Sequence, residues 1–198
     1  MPQTPPPNHP DHRATVNLET HDGRQVRVRH MRQSDAILLN RMFYKLSPET
    51  RYRRFFVPLN HVDEERVTRE AERLATIDPL NETALIAIID EDDGEACVAV
   101  ARYACLSNHP ESCEGSIVVR DDFQGSGLGR QLFDLLIQVA LAHDLQHMIL
   151  LTHADNSGMI ALVQRSGLPY KSHMSDGLYE IDLQLKKSEQ PLFPFTLG

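Results

Sequence analysis

No run of 18 apolar residues occurs in this chain, so no membrane-spanning helix is expected from it. Cysteine is scarce. Cys97, Cys105 and Cys113 are the only three, none in a Cys-x-x-Cys pair, which excludes a disulfide framework or a zinc ribbon and suits a reducing cytosol. Positive charge is in deficit: 20 Lys and Arg against 28 Asp and Glu leave a net charge of -8, which argues against general nucleic-acid binding. The ten histidines are scattered along the chain, and no metal is expected of them. Met1 to Arg13 lacks the apolar core of a secretory signal, and a cytoplasmic location is the expectation.

What remains is ordinary globular material, 198 residues with 41% hydrophobic and 24% charged content, enough for one domain with a real core. Residues 1–14, with prolines at 2, 5, 6, 7 and 10, read as a disordered arm; 15–186 as the domain; 187–198 as a tail. The tail ends Pro-Leu-Phe-Pro-Phe-Thr-Leu-Gly and could dock on the body or on a second copy of the chain. Two alternating runs, Val16–Thr20 and Arg24–Arg29, flank an Asp22-Gly23 turn and predict a hairpin. Ser34 and Asp35 are expected to cap a helix over Ala36–Leu46, and Ser47-Pro48 to start a second. From Arg24 to Arg54 stand nine Lys and Arg and only Asp35 and Glu49 opposite them, a basic patch best read as a solvated face with ion pairs rather than as substrate recognition. A third helix is expected over Asp63–Thr76, then strands at Ala84–Ile89 and Glu95–Cys105, and a polar loop over Leu106–Glu111. His147–His153 reads as a strand, Asp155-Asn156-Ser157 as a helix start with Asn156 as cap, Gly167 as its stop, and Leu168–Lys171 with Leu178–Leu185 as a closing hairpin.

The most informative stretch runs from Cys113 to Arg130. Ile117 to Val119 reads as the end of a buried strand, glycines follow at 125, 127 and 129, and apolar residues at 128, 132, 135, 136 and 139 mark one face of a helix. A strand, a glycine-rich turn and a helix N-terminus together offer free N–H groups to a phosphate. No lysine follows the glycines, so this is not a nucleoside-triphosphate loop, and the Gly-x-Gly-x-Gly spacing is not that of a dinucleotide fold.

Gln124-x-x-Gly127-x-Gly129 instead resembles the pyrophosphate-arm motif of the GNAT superfamily of N-acetyltransferases. Asn156-Ser157-Gly158-Met159-Ile160-Ala161-Leu162 followed by Gly167-Leu168 is similar to a second signature of that superfamily. Leu46-Ser47-Pro48-Glu49-Thr50-Arg51-Tyr52-Arg53-Arg54-Phe55 and Glu114 through Gly129 resemble one branch of it, the bacterial protein-lysine acetyltransferases that modify acyl-CoA synthetases. The resemblance covers about residues 20–186 and implies an α/β (α+β) GNAT fold, a central mixed sheet with helices on both faces. It further implies acetyl-CoA as donor and an amine as acceptor, either a protein lysine, such as one on an acyl-CoA synthetase, or a small amine. A non-catalytic acyl-CoA-binding regulator is the alternative from another class.

Roles follow from the resemblance. Backbone N–H groups over Gln124, Gly125, Ser126, Gly127, Leu128, Gly129 and Arg130 would hold the CoA pyrophosphate, and the strand edge at Val118 and Val119 would pair with the pantetheine amides. Asn156 would also touch the pantetheine arm, and Glu114, at the start of the core strand, would be the general base. His153 stands behind Glu114 as a candidate base. Positions 160–166 hold no tyrosine to protonate the departing thiolate, which leaves Tyr170 and Tyr179 as distant candidates.

Overall fold

The computed structural model describes residues 14–59 and 62–185; the tail and nearly all of the proline-rich arm lie outside them. The described chain forms β1 (Thr15–Glu19), β2 (Gln25–His30), α1 (Ala36–Lys45), α2 (Pro48–Phe55) and α3 (Glu64–Ala75). It continues through β3 (Glu82–Glu91), β4 (Gly94–Leu106), β5 (His109–Val119), α4 (Leu128–Ala142), β6 (His147–His153), α5 (Ser157–Ser166), β7 (Tyr170–Ser175) and β8 (Leu178–Gln184). One eight-stranded sheet has the order β1-β2-β3-β4-β5-β6-β8-β7, antiparallel throughout except for the parallel pair β5–β6.

Alternation along the central strands sends side chains to two cores. Leu85 and Ala87 of β3, with Ala99, Ala101 and Tyr103 of β4, join α4 and α5 on one face. Ala84, Ile86 and Ile88, with Cys97 and Val100, meet α1 and α3 on the other. The mixed α/β architecture with helices on both faces is therefore as the resemblance implied.

Three local expectations are corrected. Asp35 does not cap α1: its carboxylate accepts from the Arg32 backbone N–H (2.7 Å) and forms a bidentate pair with Arg29 (2.6 and 2.8 Å), closing a short 3-10 turn over Gln33–Asp35. A basic partner on the neighbouring strand won the carboxylate that local chemistry assigned to the helix. Leu106–Glu111 is not a polar loop but a tight hairpin, with Leu106 in register with His109. In consequence Glu114 lies in mid-strand rather than at the strand start. The helix at Pro48 is capped as expected, the Thr50 N–H donating to Ser47 Oγ (3.1 Å).

Candidate functional site

The site begins where the sheet parts. β5 and β6 are in register only from Ser112–Gly115 against His147–Leu150, so beyond Gly115 the strands diverge and Ser116–Val119 keep a neighbour, β4, on one side alone. Gly115 stands at the fork. A Cβ there would lie 2.6 Å from Met148 Sδ, so only glycine lets the strands meet so closely before separating. The divergence opens a cleft of about 610 Å3 between β5, α2, the start of α5 and the loop leading into α4.

That loop arrives through a 3-10 turn over Asp121–Phe123 and reaches α4 through Gly127, whose φ of +86° is left-handed. The loop is braced from behind. The β1–β2 turn donates the His21 N–H to the Ser126 carbonyl (2.8 Å), and its imidazole fills the space a Gly127 Cβ would need, 2.5 Å from Nε2. From the same turn the Arg24 guanidinium lies 3.6 Å over the Phe123 ring.

Of the residues expected to bind donor, Val118, Val119, Gln124, Gly125, Gly127, Gly129, Arg130 and Asn156 line the cleft, and Glu114 lines it with them. Ser126 and Leu128 present no side chain to it. Ser126 Oγ donates to the Phe123 carbonyl (2.6 Å), and Leu128 is fully buried in the core, which leaves both only their backbone groups to offer. Gln124 is already engaged, Nε2 donating to the Val119 carbonyl (3.0 Å) and to Thr50 Oγ1 (3.2 Å). Asn156 Oδ1 accepts from the Met159 N–H (3.1 Å) while Nδ2 donates to Thr152 Oγ1 (2.9 Å), so the cap also ties α5 to β6. Arg130 pairs with Asp134 (2.7 Å) and donates to the Arg165 carbonyl; burial raises the Asp134 carboxyl above its ordinary value despite that pairing.

The wall of the cleft facing that loop is built by α2. Asp121, after β5, accepts from the Ser47 N–H (2.8 Å), Ser47 Oγ (2.6 Å) and Thr50 Oγ1 (2.7 Å), pinning the N-terminus of α2 to the loop that leads into α4. At the other end Tyr52 and Phe56 hold the His153 ring between them, at 4.8 and 4.9 Å. His153 is thus packed rather than poised beside the cleft. Tyr170 is exposed on the edge strand and Tyr179 packs against the core, and among the described residues no tyrosine side chain lines the cleft.

The basic patch resolves mostly into ion pairs, Arg27 with Asp90 and Glu95, Arg29 with Asp35, and Arg53 with Glu49. Around the cleft, however, Arg54 and Arg165 stand beside the ion-paired Arg53 and Arg130 with Glu114 as the one carboxylate among the lining residues, a small excess of positive charge in an acidic chain. Such a lining suits an extended anionic ligand. The contributions of His21 and Asp121 escaped sequence reasoning because nothing local names their partners: the Asp22-Gly23 turn placed His21 at a hairpin tip without saying what the tip would touch, and Asp121, though inside the 114–129 stretch, carries no sign of its contact with α2. No group of acidic, histidine or cysteine side chains suited to a metal occurs among the described residues, nor any helix long and apolar enough to cross a membrane.

Comparison with known proteins meets this geometry. The acetyltransferase (GNAT) family model matches residues 43–168. The chain is 30% identical to the acetyltransferase PA5475 of Pseudomonas aeruginosa over 138 residues, 70% of this chain and 72% of that protein. Among solved structures it resembles the GNAT domain of PAT from S. lividans with a TM-score of 0.75, at 23% identity over 86% of this chain and 97% of that one. It also resembles yncA from Salmonella typhimurium, solved with its cofactor acetyl-CoA, with a TM-score of 0.58, at 19% identity over 83% of this chain and 96% of that one.

Proposed function

Because the chain belongs to the acetyltransferase (GNAT) family and is an acetyl-CoA-dependent N-acetyltransferase, we propose that its acceptor is a protein lysine and that Glu114 is the base that deprotonates it. The observation that carries the reading is that Glu114 shares one cleft with the glycine loop. The unpaired edge of Ser116–Val119 runs between them.

In this reading the backbone N–H groups from Gln124 to Arg130 bind the pyrophosphate, aided by the positive end of the α4 dipole. The left-handed turn at Gly127 supports this, since it frees the first-turn amides to face the cleft. The pantetheine arm adds to the open edge of β5 as a further strand would. Val119 offers less of that edge than its partners, because Gln124 already occupies its carbonyl. The thioester carbonyl then lies near Ser116, where a strand N–H polarises it and holds the oxyanion of the tetrahedral stage.

A lysine ammonium, with a solution pKa of about 10.4, must shed a proton before attack. Glu114 is exposed at the mouth of the cleft and takes that proton directly or through a water. The amine nitrogen bonds to the acetyl carbon, the carbon–sulfur bond breaks, and the nitrogen gives up its second proton to the departing CoA sulfur or to water; a thiolate of ordinary thiol pKa, about 8.5, needs no dedicated acid to leave.

The test is incubation of wild type and Glu114→Gln with acetyl-CoA and a deacetylated cell extract, followed by mapping of acetyl-lysines. A few lysines modified by wild type alone is the expected result. Equal modification by Glu114→Gln removes Glu114 as base. No new sites, with acetyl-CoA binding intact, overturns the protein acceptor in favour of a small amine or a regulator without turnover.

A further inference from the structure

Arg54 is left without a task by acetyl transfer. It sits in the last turn of α2 and borders two spaces at once, the cleft, beside Glu114, Ser116 and Val118, and a separate apolar cavity of about 80 Å3. The cavity lies beneath α1, α2 and α3, lined by Leu39, Met42, Leu46, Ala71 and Leu74 with Val100 and Val118 as floor. Arg54 and Val118 are the two residues common to both spaces.

Its neighbours among the arginines are all satisfied. Arg51 donates to the Phe43 carbonyl (3.0 Å), Arg53 pairs with Glu49 (2.6 Å), and Arg102, which also borders the cavity, pairs with Glu82 (3.1 Å). Among the described residues Arg54 has neither a hydrogen bond nor an ion pair. Its guanidinium carbon lies 5.4 Å from the centre of the Phe55 ring. Half-buried among apolar groups, it is pushed by desolvation down to about 10, which still leaves it a cation at neutral pH. A desolvated guanidinium with no counter-ion is costly to keep, and its planar fork matches a carboxylate.

The ligand to which this charge belongs must reach it through the cleft. The phosphates of the donor cannot, since in the proposed reading they sit at the glycine loop, at the other end of Ser116–Val119. Glu114 shares the cleft but lies beyond ion-pairing distance, and a base that takes up a proton in each cycle is no permanent counter-ion. An acetyl group offers nothing to bind. An acyl group lengthened by a few methylenes and ending in a carboxylate would offer both halves, a chain for the apolar cavity beside Val118 and an anion for Arg54.

From this juxtaposition we infer that the donor site takes CoA thioesters of short dicarboxylic acids, of the malonyl and succinyl class, with Arg54 as the carboxylate receptor. The chemistry is unchanged: one ammonium proton goes to Glu114, the amine–carbonyl bond forms, the carbon–sulfur bond breaks, the second proton goes to the CoA sulfur or to water, and the amide product now carries a negative charge in place of the lysine's positive one. The inference rests on the donor geometry of the proposed function and answers which donors fit it.

The experiment is a calorimetric titration of the full chain with CoA, acetyl-CoA, butyryl-CoA and succinyl-CoA, using wild type, Arg54→Met and Arg54→Lys. Butyryl matches succinyl in carbon count but lacks the carboxylate. Wild type should bind succinyl-CoA about tenfold or more tightly than butyryl-CoA, the range of one charge-assisted pair. Arg54→Met should abolish that ratio, and Arg54→Lys should keep part of it. Ala71→Leu fills the cavity from α3 without entering the cleft, and should weaken succinyl-CoA and butyryl-CoA relative to acetyl-CoA. Wild type binding succinyl-CoA no better than butyryl-CoA overturns the inference and leaves acetyl transfer standing. So does an Arg54→Met loss that is equal for all four ligands, which would make Arg54 a support of the cleft as a whole. Failure to bind any of them strikes the donor reading itself.

Discussion

At Asp35 a single carboxylate holds the chain where the N-terminal hairpin enters the helices. It is buried, and burial alone would raise its pKa, but the Arg29 guanidinium and the Arg32 N–H outweigh that and hold it below its ordinary 3.8. A carboxyl depressed in the folded state stabilises above its unfolded value of about 3.9, and that contribution is lost as pH falls through the lower folded value. Urea midpoints of wild type should therefore drop below about pH 4, and part of this acid dependence should vanish in Asp35→Asn. The variant should also be about 3 kcal/mol less stable at pH 7, since it strands Arg29 without its counter-charge. Gly127 poses a different residue-scale test. Any side chain meets both a left-handed backbone and the His21 ring, so Gly127→Ala should cost roughly 1–2 kcal/mol. Gly127→Asp should in addition weaken acetyl-CoA binding by setting charge against the pyrophosphate. Equal affinity in a calorimetric titration would sink the loop assignment.

Among the elements, α2 depends most on partners distant in sequence. Asp121, 74 residues from Ser47, accepts three hydrogen bonds from its first turn. Burial acts to raise the Asp121 carboxyl, but those donors prevail and keep it ionised. Asp121→Ala should raise the KM for the amine acceptor and speed hydrogen exchange over Thr50–Phe56. Because the aspartate is exposed, the global cost should stay near 1 kcal/mol. Unchanged exchange in α2 would show that the helix is held by packing alone. This element also marks the limit of what was legible in the sequence. Ser47-Pro48 announced the helix start, as the glycine loop announced α4, because caps and turns are chemistry between near neighbours. The attachment of α2 to Asp121 and Gln124, and the seating of His21 on Gly127, are contacts between segments far apart in the chain, and neither motif nor periodicity says which of their residues meet. The same holds where expectation failed. Asp35 left its helix for Arg29, and the polar composition of 106–111 yielded to pairing with β4, each a case of tertiary partners outbidding local preference.

The molecule as a whole is two half-sheets, β1 to β5 and β6 to β8, joined by one short parallel ladder. A ligand lying in the fork adds contacts that the unfolded chain cannot make, so acetyl-CoA at a hundred times its dissociation constant should add about 2.7 kcal/mol to stability. The gain should be concentrated as slowed exchange at Ser116–Val119. The thiols should report the integrity of the sheets from within. Burial pushes Cys97 and Cys113 up to about 12, and Cys105 above its ordinary value, so the thiolate a disulfide reagent requires is scarce at neutral pH. All three should resist modification in the native protein and react once urea opens it; rapid native labelling of Cys97 or Cys113 would contradict the packing of β4 and β5. A last consequence belongs to Gln124, which ties the Val119 carbonyl at the donor edge to Thr50 at the start of α2. In the proposed reading, a donor settling along β5 firms the wall against which the amine is then presented. The kinetic scheme that follows is compulsory-order: thioester first, amine second, acylated product leaving before free CoA. Product inhibition by CoA should accordingly be competitive against the thioester and noncompetitive against the amine.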